Sequence, residues 1–275
     1  MDASYKIQRG IHVHLIQFFM CPEFWVHIIL RELAARKSVR VFTEEPVTEA
    51  EKQAVLGAAF EAPTAGCQQL YTILDVTDPA LKERLAELCD HQPFIATAPV
   101  VLVFLADCHR WPQVYRAAGC KVRGPGAGDA LLAVADACIA AQNAVTAAGS
   151  LGLGSCYIGD VLEQCEAMRA ALRLPAHVLP AAMLVMGRPT RQQQERPKPA
   201  RFAPEYIVCE NVYREKTDEE HRAALAQRAA REGKKAFQFE AWVQAFAKRK
   251  YESGFSREMS RSAAVYLKDF MGGEG

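Results

Sequence analysis

Two long apolar segments constrain most strongly how this chain can fold. Residues 129–148 are rich in alanine and apolar nearly all round a helical wheel, which predicts a helix enclosed by other parts of the protein. Residues 99–106 form a continuous apolar run of strand length, which predicts a strand buried on both faces. A chain of 275 residues can bury such elements in one large domain or two small ones.

Local patterns predict further helices and strands around these segments. Thr48 and Glu51 have the spacing of a capping box, which predicts a helix running to about residue 62. Asp78 followed by Pro79 predicts the start of a second helix. Apolar runs bounded by turn residues predict strands at 70–76, 155–158 and 180–186. Residues 192–204 are proline-rich and basic, which predicts a connection outside the core.

The end of the chain has a different character. From about residue 217 to about residue 270 the pattern is helical and highly charged, with few apolar side chains per turn before Phe237. A helical arm of this kind cannot bury its own apolar face. We therefore expect it to lie across the body of the chain or along another subunit.

Charge and cysteine content exclude several classes of function. The net charge is +1, from 33 basic and 32 acidic residues, and a nucleic-acid binder would need a basic excess. The nine cysteines are scattered without C-x-x-C spacing, which predicts free thiols in a reducing cytoplasm. His12 and His14 are spaced like a strand pair of metal ligands, but we favour no metal site.

The first residues admit two interpretations. Residues 11–30 are largely apolar, but His12, His14, Gln17, Glu23 and His27 interrupt the run, so we expect no membrane span. The segment is either an extension ahead of a natural start at Met20 or a helix that packs on a partner.

A basic cluster follows the first helical stretch. Arg36, Lys37, Ser38 and Arg40 place three cations and a hydroxyl within five positions. Arginine forks match phosphate oxygens, so the cluster is a candidate phosphate site, although a solvated helix terminus has the same composition. The glycine-rich stretches 124–128 and 149–154 lack the strand-then-helix order of a dinucleotide fingerprint.

Five segments, taken in order, resemble the motifs of the nitroreductase/flavin reductase family, specifically its FMN-dependent, oxygen-insensitive NADPH nitroreductase branch. They are the basic run 36–42, the Ala-Pro-Thr-Ala-Gly-Cys-Gln-Gln run 62–69, the glycine-rich turn and strand 150–160, the strand and turn 177–189, and the Lys-Pro-Ala-Arg-Phe run 198–202. The resemblance implies an α+β fold with a mostly antiparallel central sheet flanked by helices, in an intertwined homodimer. It divides the chain into an N-terminal extension or helix (1–28), an FMN-binding core (29–214) and a helical C-terminal arm (215–275).

The resemblance also implies which residues bind FMN. Arg36, Lys37, Ser38, Arg40 and Arg201 would hold the phosphate, with Lys198 as a helper. The ribityl chain and flavin ring would be met by a second set of residues: Pro63, Thr64, Ala65, Cys67, Gln92, Tyr157, Ile158, Gly159 and Asp160. Cys67 and Asp160 depart from the family pattern, and an aspartate beside flavin N5 could lower the reduction potential.

Some of these residues have simpler interpretations. Gln92 could cap a turn before Pro93, and Tyr157 could be a strand aromatic packed in the core. Residues 248–250 (Lys-Arg-Lys) could recognise the NADPH 2′-phosphate or form a solvated helix face.

The implied function is ping-pong hydride transfer from NADPH (or NADH), through FMN, to nitroaromatic, quinone or flavin acceptors. No side chain is required as an acid or base, so no catalytic residue is predicted. The alternatives are a dedicated reductase of one metabolite, such as an activated alkene, and a non-catalytic flavin-binding dimer. We expect a cytoplasmic protein that binds neither nucleic acid nor membrane.

Overall fold

An antiparallel sheet lies at the centre of the molecule. In the computed structural model, which describes residues 28–271, the sheet has four strands: β1 (Tyr71–Asp75), β2 (Val100–Asp107), β3 (Gly154–Ile158) and β4 (Val178–Gly187). Their order is β1-β2-β4-β3, and each neighbouring pair is antiparallel. Every residue of β2 is buried, so the strand predicted at 99–106 is confirmed. The expectations for Met20, for His12 and His14 and for the N-terminal extension lie outside the described residues.

Helices cover both faces of this sheet. On one face Leu102, Phe104 and Leu184 pack against α2 (Glu49–Phe60) and α6 (Ala127–Ser150). On the other face Val103 and Met183 belong to a second core. Its helices are α3 (Pro79–Leu88), α4 (Pro93–Ala96), α7 (Cys165–Leu172) and α12 (Gly254–Phe270). This arrangement confirms the predicted α+β fold with an antiparallel central sheet flanked by helices, and the intertwined homodimer stays a prediction.

Helix α6 is the enclosed helix that the alanine-rich run predicted. Its buried residues include Ala137, Ala140, Ala144 and Ala148, whose small side chains let the helix approach the sheet closely. By length and composition alone α6 could cross a membrane. Its alanines instead pack against the sheet, as those of a core helix do.

The predicted helix starts are confirmed. Thr48 and Glu51 form the reciprocal capping box at the start of α2. The Asp78 carboxylate accepts a hydrogen bond from the Ala80 N–H group at 3.1 Å, and Pro79 is the first residue of α3. The remaining α-helices between residues 28 and 210 are α1 (Ile28–Ala35), α5 (Arg110–Ala117), α8 (Arg191–Glu195) and α9 (Pro204–Ile207).

The connection predicted outside the core at 192–204 is only partly irregular. Helix α8 occupies its start, and Gln193 is buried there. The proline pattern marked the exit from this helix correctly, but the helix is too short to show a periodic pattern of its own.

The C-terminal segment forms α10 (Asp218–Arg231), α11 (Phe239–Lys250) and α12. Within α12 the Tyr266 and Phe270 side chains are fully enclosed, and the Phe270 carbonyl contacts His177 Nδ1. Helices α10 and α11 bury little, with Ala229 the one buried residue among them in the described chain. Helix α12 thus packs on the chain's own core, whereas the division into three regions stays a prediction.

Candidate flavin site

The basic segment 36–42 runs along the β3 edge of the sheet. The Val39 N–H group donates to the Ser155 carbonyl at 2.9 Å, and Ser38 forms a parallel bridge with Ser155. Two glycines make this approach possible. A Cβ atom at Gly154 would lie 2.7 Å from Val39 Cγ2, and one at Gly187 would lie 2.9 Å from the Phe42 ring. The segment can therefore pack closely against β3 and β4 only because Gly154 and Gly187 have no side chains.

Arg36 leaves a donor without a partner. Within the described chain, its Nη1 atom is buried and makes no hydrogen bond. Burial lowers the pKa of Lys198, and the positive charges of Arg201 and Arg36 nearby lower it further. The structure therefore brings together three of the predicted phosphate ligands, and their mutual repulsion and the unpaired donor are both relieved by an anion.

Two of the predicted phosphate ligands already have backbone partners. The Lys198 ammonium donates to the Ala34 carbonyl at 2.7 Å, so it caps the end of α1. The Lys37 ammonium donates to the Gln194 carbonyl at 2.6 Å and also contacts the Arg196 carbonyl. Burial, and then the charge of Arg196, lower the pKa of Lys37. Lys37 therefore ties the basic segment to α8 as well as adding positive charge.

Arg196 and Gln193 belong to this site but were not predicted. The Arg196 guanidinium donates to the Ser38 carbonyl. The buried Gln193 side chain accepts a hydrogen bond from the Arg40 backbone N–H group at 3.4 Å. Arg40 itself is exposed, and its guanidinium lies 6.0 Å from the centre of the Phe94 ring. Arg196 stands two positions before Lys198 in the same basic run, and that spacing was the available signal.

Gln92 and Asp160 are brought into contact although they are 68 positions apart. The Gln92 amide donates to the Asp160 carboxylate and, at 2.8 Å, to the Cys89 carbonyl. Gln92 immediately precedes α4 and its side chain does not cap that helix, but its bond to the Cys89 carbonyl closes the turn before Pro93, in agreement with the simpler interpretation. Its contact with a cofactor stays a prediction. Gly159 beside Asp160 is exposed, which leaves its backbone accessible to a ligand.

The β3 residues before this turn face opposite sides of the sheet. Tyr157 points to α6, where its hydroxyl lies 3.4 Å from Gln142 Oε1, and burial raises its pKa to about 12. Ile158 is buried in the core on the other face. Tyr157 thus packs among core residues, in agreement with the simpler interpretation, and its contact with a cofactor stays a prediction.

The second predicted motif, residues 63–67, is organised by Asp136 of α6. The Asp136 side chain is only 3% exposed. Its carboxylate accepts from the Thr64 hydroxyl and, at 3.1 Å each, from the Ala65 and Leu70 N–H groups. Pro63 and Cys67 are exposed, and Cys67 has a left-handed backbone with a φ of 55°. Asp136 was not predicted because nothing local in an alanine-rich helix marks it as a loop anchor.

The predicted site residues fall into two groups on opposite sheet edges. The first group lies along β3 and comprises residues 36–40, 92, 157–160, 198 and 201. The loop 63–67 leads into β1, at the other edge of the β1-β2-β4-β3 order. Three strand spacings of about 4.8 Å separate the two edges, or about 14 Å. In a single chain the cation cluster therefore adjoins the Gln92 amide and the Asp160 carboxylate, whereas the loop 63–67 lies at the opposite edge of the sheet.

The first group fits the phosphate end of FMN. The buried Arg36 Nη1 donor, which has no partner and lies among cations that repel one another, would gain an acceptor from a dianionic phosphate. The exposed backbone at Gly159 suits contact with the edge of a flat ring. No cluster of three or more potential metal ligands occurs among the described residues. The arrangement can hold an anionic cofactor, and it presents no nucleophile paired with a base.

Comparison with known proteins gives consistent matches. The model of the Nitroreductase family matches residues 33–188. The oxygen-insensitive NADPH nitroreductase of Salmonella typhimurium is 38% identical over 181 residues, covering 66% of this chain and 72% of that protein. The FMN reductase (NADPH) of Bacillus subtilis is 32% identical over 185 residues, covering 66% and 73%. The solved structure of the NfrA1 nitroreductase from B. subtilis is similar with a TM-score of 0.70 at 26% identity, covering 86% and 98%.

Proposed function

The chain belongs to the nitroreductase family, as its motifs predicted, and from this membership we propose that it reduces small-molecule acceptors with electrons from NADPH or NADH. Membership makes it an oxidoreductase with FMN as cofactor. The acceptors we propose are nitroaromatic compounds, quinones and free flavins. The proposed location is the cytoplasm, without a membrane or nucleic-acid partner.

The unpaired Arg36 guanidinium is the observation that supports the FMN site most directly. A buried hydrogen-bond donor without a partner destabilises the folded state by about 1–3 kcal/mol, and by more when the group is charged. The Arg36 Nη1 atom therefore destabilises the chain unless a ligand accepts its hydrogen bond. The neighbouring charges of Lys198 and Arg201 add to that cost. A phosphate bound there removes both costs and adds charge-assisted hydrogen bonds.

FMN, when bound, supplies the redox chemistry, and the protein residues supply position and charge. Arg36, Arg40 and Arg201 would bind the phosphate, and Lys37 and Arg196 would hold the basic segment on α8. The Gly159–Asp160 backbone would meet the N5 and O4 edge, with Gln92 near the pyrimidine side.

A homodimer would complete this site. Loop 63–67 lies at the sheet edge opposite β3, so a second copy could bring its own loop to the first group of residues. Helix α6 also presents exposed Leu131, Leu132 and Ile139, with Leu131 70% exposed. An apolar helix face of this kind suits an interface between copies. We expect Leu131→Glu to give a monomer by light scattering and to lose FMN, whereas an FMN-bound monomer would contradict the shared site.

The double variant Arg36→Ala, Arg40→Ala tests the phosphate assignment. Two charge-assisted contacts at about 1.5–3 kcal/mol each are lost, so FMN affinity should fall at least about a hundredfold. The matched control is Arg84→Ala, which removes an exposed cation on α3 outside the cluster. Yellow protein after gel filtration of the double variant would show that the phosphate binds elsewhere.

The visible spectrum tests the activity itself. The purified protein is followed anaerobically while NADPH and then NADH are added. Bleaching of the flavin bands supports the reductase, and the comparison sets the coenzyme preference. A yellow protein that stays oxidised with both coenzymes would instead be a non-catalytic flavin binder.

A further inference from the structure

A buried carboxyl group lies behind the flavin-facing turn and has no role in the function proposed so far. Glu163 follows the turn 159–162, is 5% exposed, and donates its N–H group to the Asp160 carbonyl at 3.0 Å. Among the described residues, its Oε1 atom is buried without a hydrogen-bond partner. Its carboxyl group also lies within hydrogen-bonding range of the Asp160 carboxyl, which accepts from Gln92.

The charged groups that act most strongly on Glu163 are acidic. Asp90 at the end of α3 and Glu258 on α12 both add negative charge, as Asp160 does. The Cys89 thiol nearby stays neutral, because burial raises its pKa well above the ordinary value. Arg261 on α12 is already paired with Glu166 and Glu258. Within the part of the chain that the structure describes, Glu163 forms no ion pair, so no cation balances its charge when it is ionised.

Two carboxyl groups can share a hydrogen bond only when one of them carries a proton. We propose that Glu163 is a positioning residue of the flavin site that holds this proton and donates it in a hydrogen bond to Asp160. The bond fixes the Asp160 carboxylate where it receives Gln92, and it limits the carboxyl pair (Asp160 and Glu163) to one negative charge. Burial, followed by the charge of Asp160, raises the pKa of Glu163 to about 7, so the proton is held in mildly acidic solution and is lost as the pH rises through neutrality.

The proposal has a consequence for the cofactor, and it rests on the proposed FMN site. When the pH rises through about 7, Glu163 releases its proton to solvent and the carboxyl pair becomes doubly negative. A second negative charge beside the N5 edge disfavours the electron-rich reduced flavin more than the oxidised flavin. The reduction potential of bound FMN should then fall more steeply with pH than that of a variant without the Glu163 charge.

The test compares the wild type with Glu163→Gln in two measurements. Infrared difference spectra recorded between about pH 5 and about pH 8 on FMN-free protein should show a protonated carboxyl band that titrates near pH 7 and is absent from the variant. In the FMN-loaded proteins, the potential curves should separate through the same range, by about a tenfold change in the reduced-to-oxidised ratio. The titration of the FMN phosphate is common to both proteins and cancels in the difference.

Asp160→Asn is the second variant, and it keeps the shape of the acceptor while removing its charge. There the Glu163 band should titrate at lower pH. A band titrating at the ordinary value in the wild type would overturn the proposal, as would parallel potential curves for wild type and Glu163→Gln. The infrared measurement needs no FMN, so failure of FMN binding would refute the proposed function while the test of the carboxyl pair continues.

Discussion

Asp136 accepts three hydrogen bonds from the loop 63–70, and its removal should be costly. In Asp136→Ala the Thr64 hydroxyl and the Ala65 and Leu70 N–H groups lose their acceptor together. Hydrogen bonds to a charged group are worth about 1.5–3 kcal/mol each, but such losses are not additive where groups share one partner. We therefore expect the free energy of unfolding to fall by about 3–5 kcal/mol.

The assay is urea denaturation followed by both fluorescence and bound-flavin absorbance. Two milder variants serve as a graded series. Asp136→Asn keeps one acceptor oxygen and should cost about 1–2 kcal/mol. Thr64→Val removes the hydroxyl that donates to Asp136 and accepts from the Gln69 N–H group at 2.8 Å, and it should also cost about 1–2 kcal/mol. Each change should also weaken FMN binding, because the loop is predicted to contact the ring. A loss below about 1 kcal/mol in Asp136→Ala would show that the loop is held by other contacts.

Two further predictions concern the approach of segment 36–42 and the pH dependence of stability. Gly154→Ala places a Cβ atom 2.7 Å from Val39 Cγ2, so it should destabilise the fold by about 1–3 kcal/mol and weaken FMN binding. The control is Gly57→Ala on α2, whose Cβ atom meets nothing within 4 Å and which should stabilise the fold by up to about 1 kcal/mol. The same loss in both variants, measured by urea unfolding, would contradict the close-approach argument. The pKa of Glu163 is raised to about 7, so between the ordinary glutamate pKa and about pH 7 the folded state binds more protons than the unfolded state. The free energy of unfolding should therefore fall, on the order of 1–3 kcal/mol, as the pH rises from about 4.5 to about 7. Glu163→Gln should abolish that fall.

The fold was largely predictable because its main elements have strong local patterns. The all-apolar run became β2, the alanine-rich run became α6, and the capping residues Thr48 and Asp78 mark the starts of α2 and α3. These patterns depend on neighbours within a few positions. Helix α8 was missed because five residues contain too little periodicity to separate a helix from a basic loop.

The site was less predictable, because its decisive contacts join distant parts of the chain. Asp136 holds Thr64 across 72 positions, and Gln92 meets Asp160 across 68. Motif resemblance nominated Gln92 and Asp160 separately, but it could not show their contact or the carboxyl group of Glu163 behind them. It also could not show that loop 63–67 lies at the far edge of the sheet, since strand order is a property of the whole fold.

The near-neutral net charge of the chain conceals a strongly polarised site. Its basic end gathers Arg36, Lys198 and Arg201, and burial followed by the charges of the two arginines lowers the pKa of Lys198. Its acidic end gathers Asp160, Glu163, Asp90 and Glu258 around the turn that is predicted to face the ring. FMN is charged at its phosphate and neutral at its oxidised ring, so such a field allows one orientation and penalises the reverse. The proton shared by the carboxyl pair lowers the negative charge at the acidic end, so this end repels the reduced ring less. Glu163 therefore sets how much negative charge the reduced flavin meets.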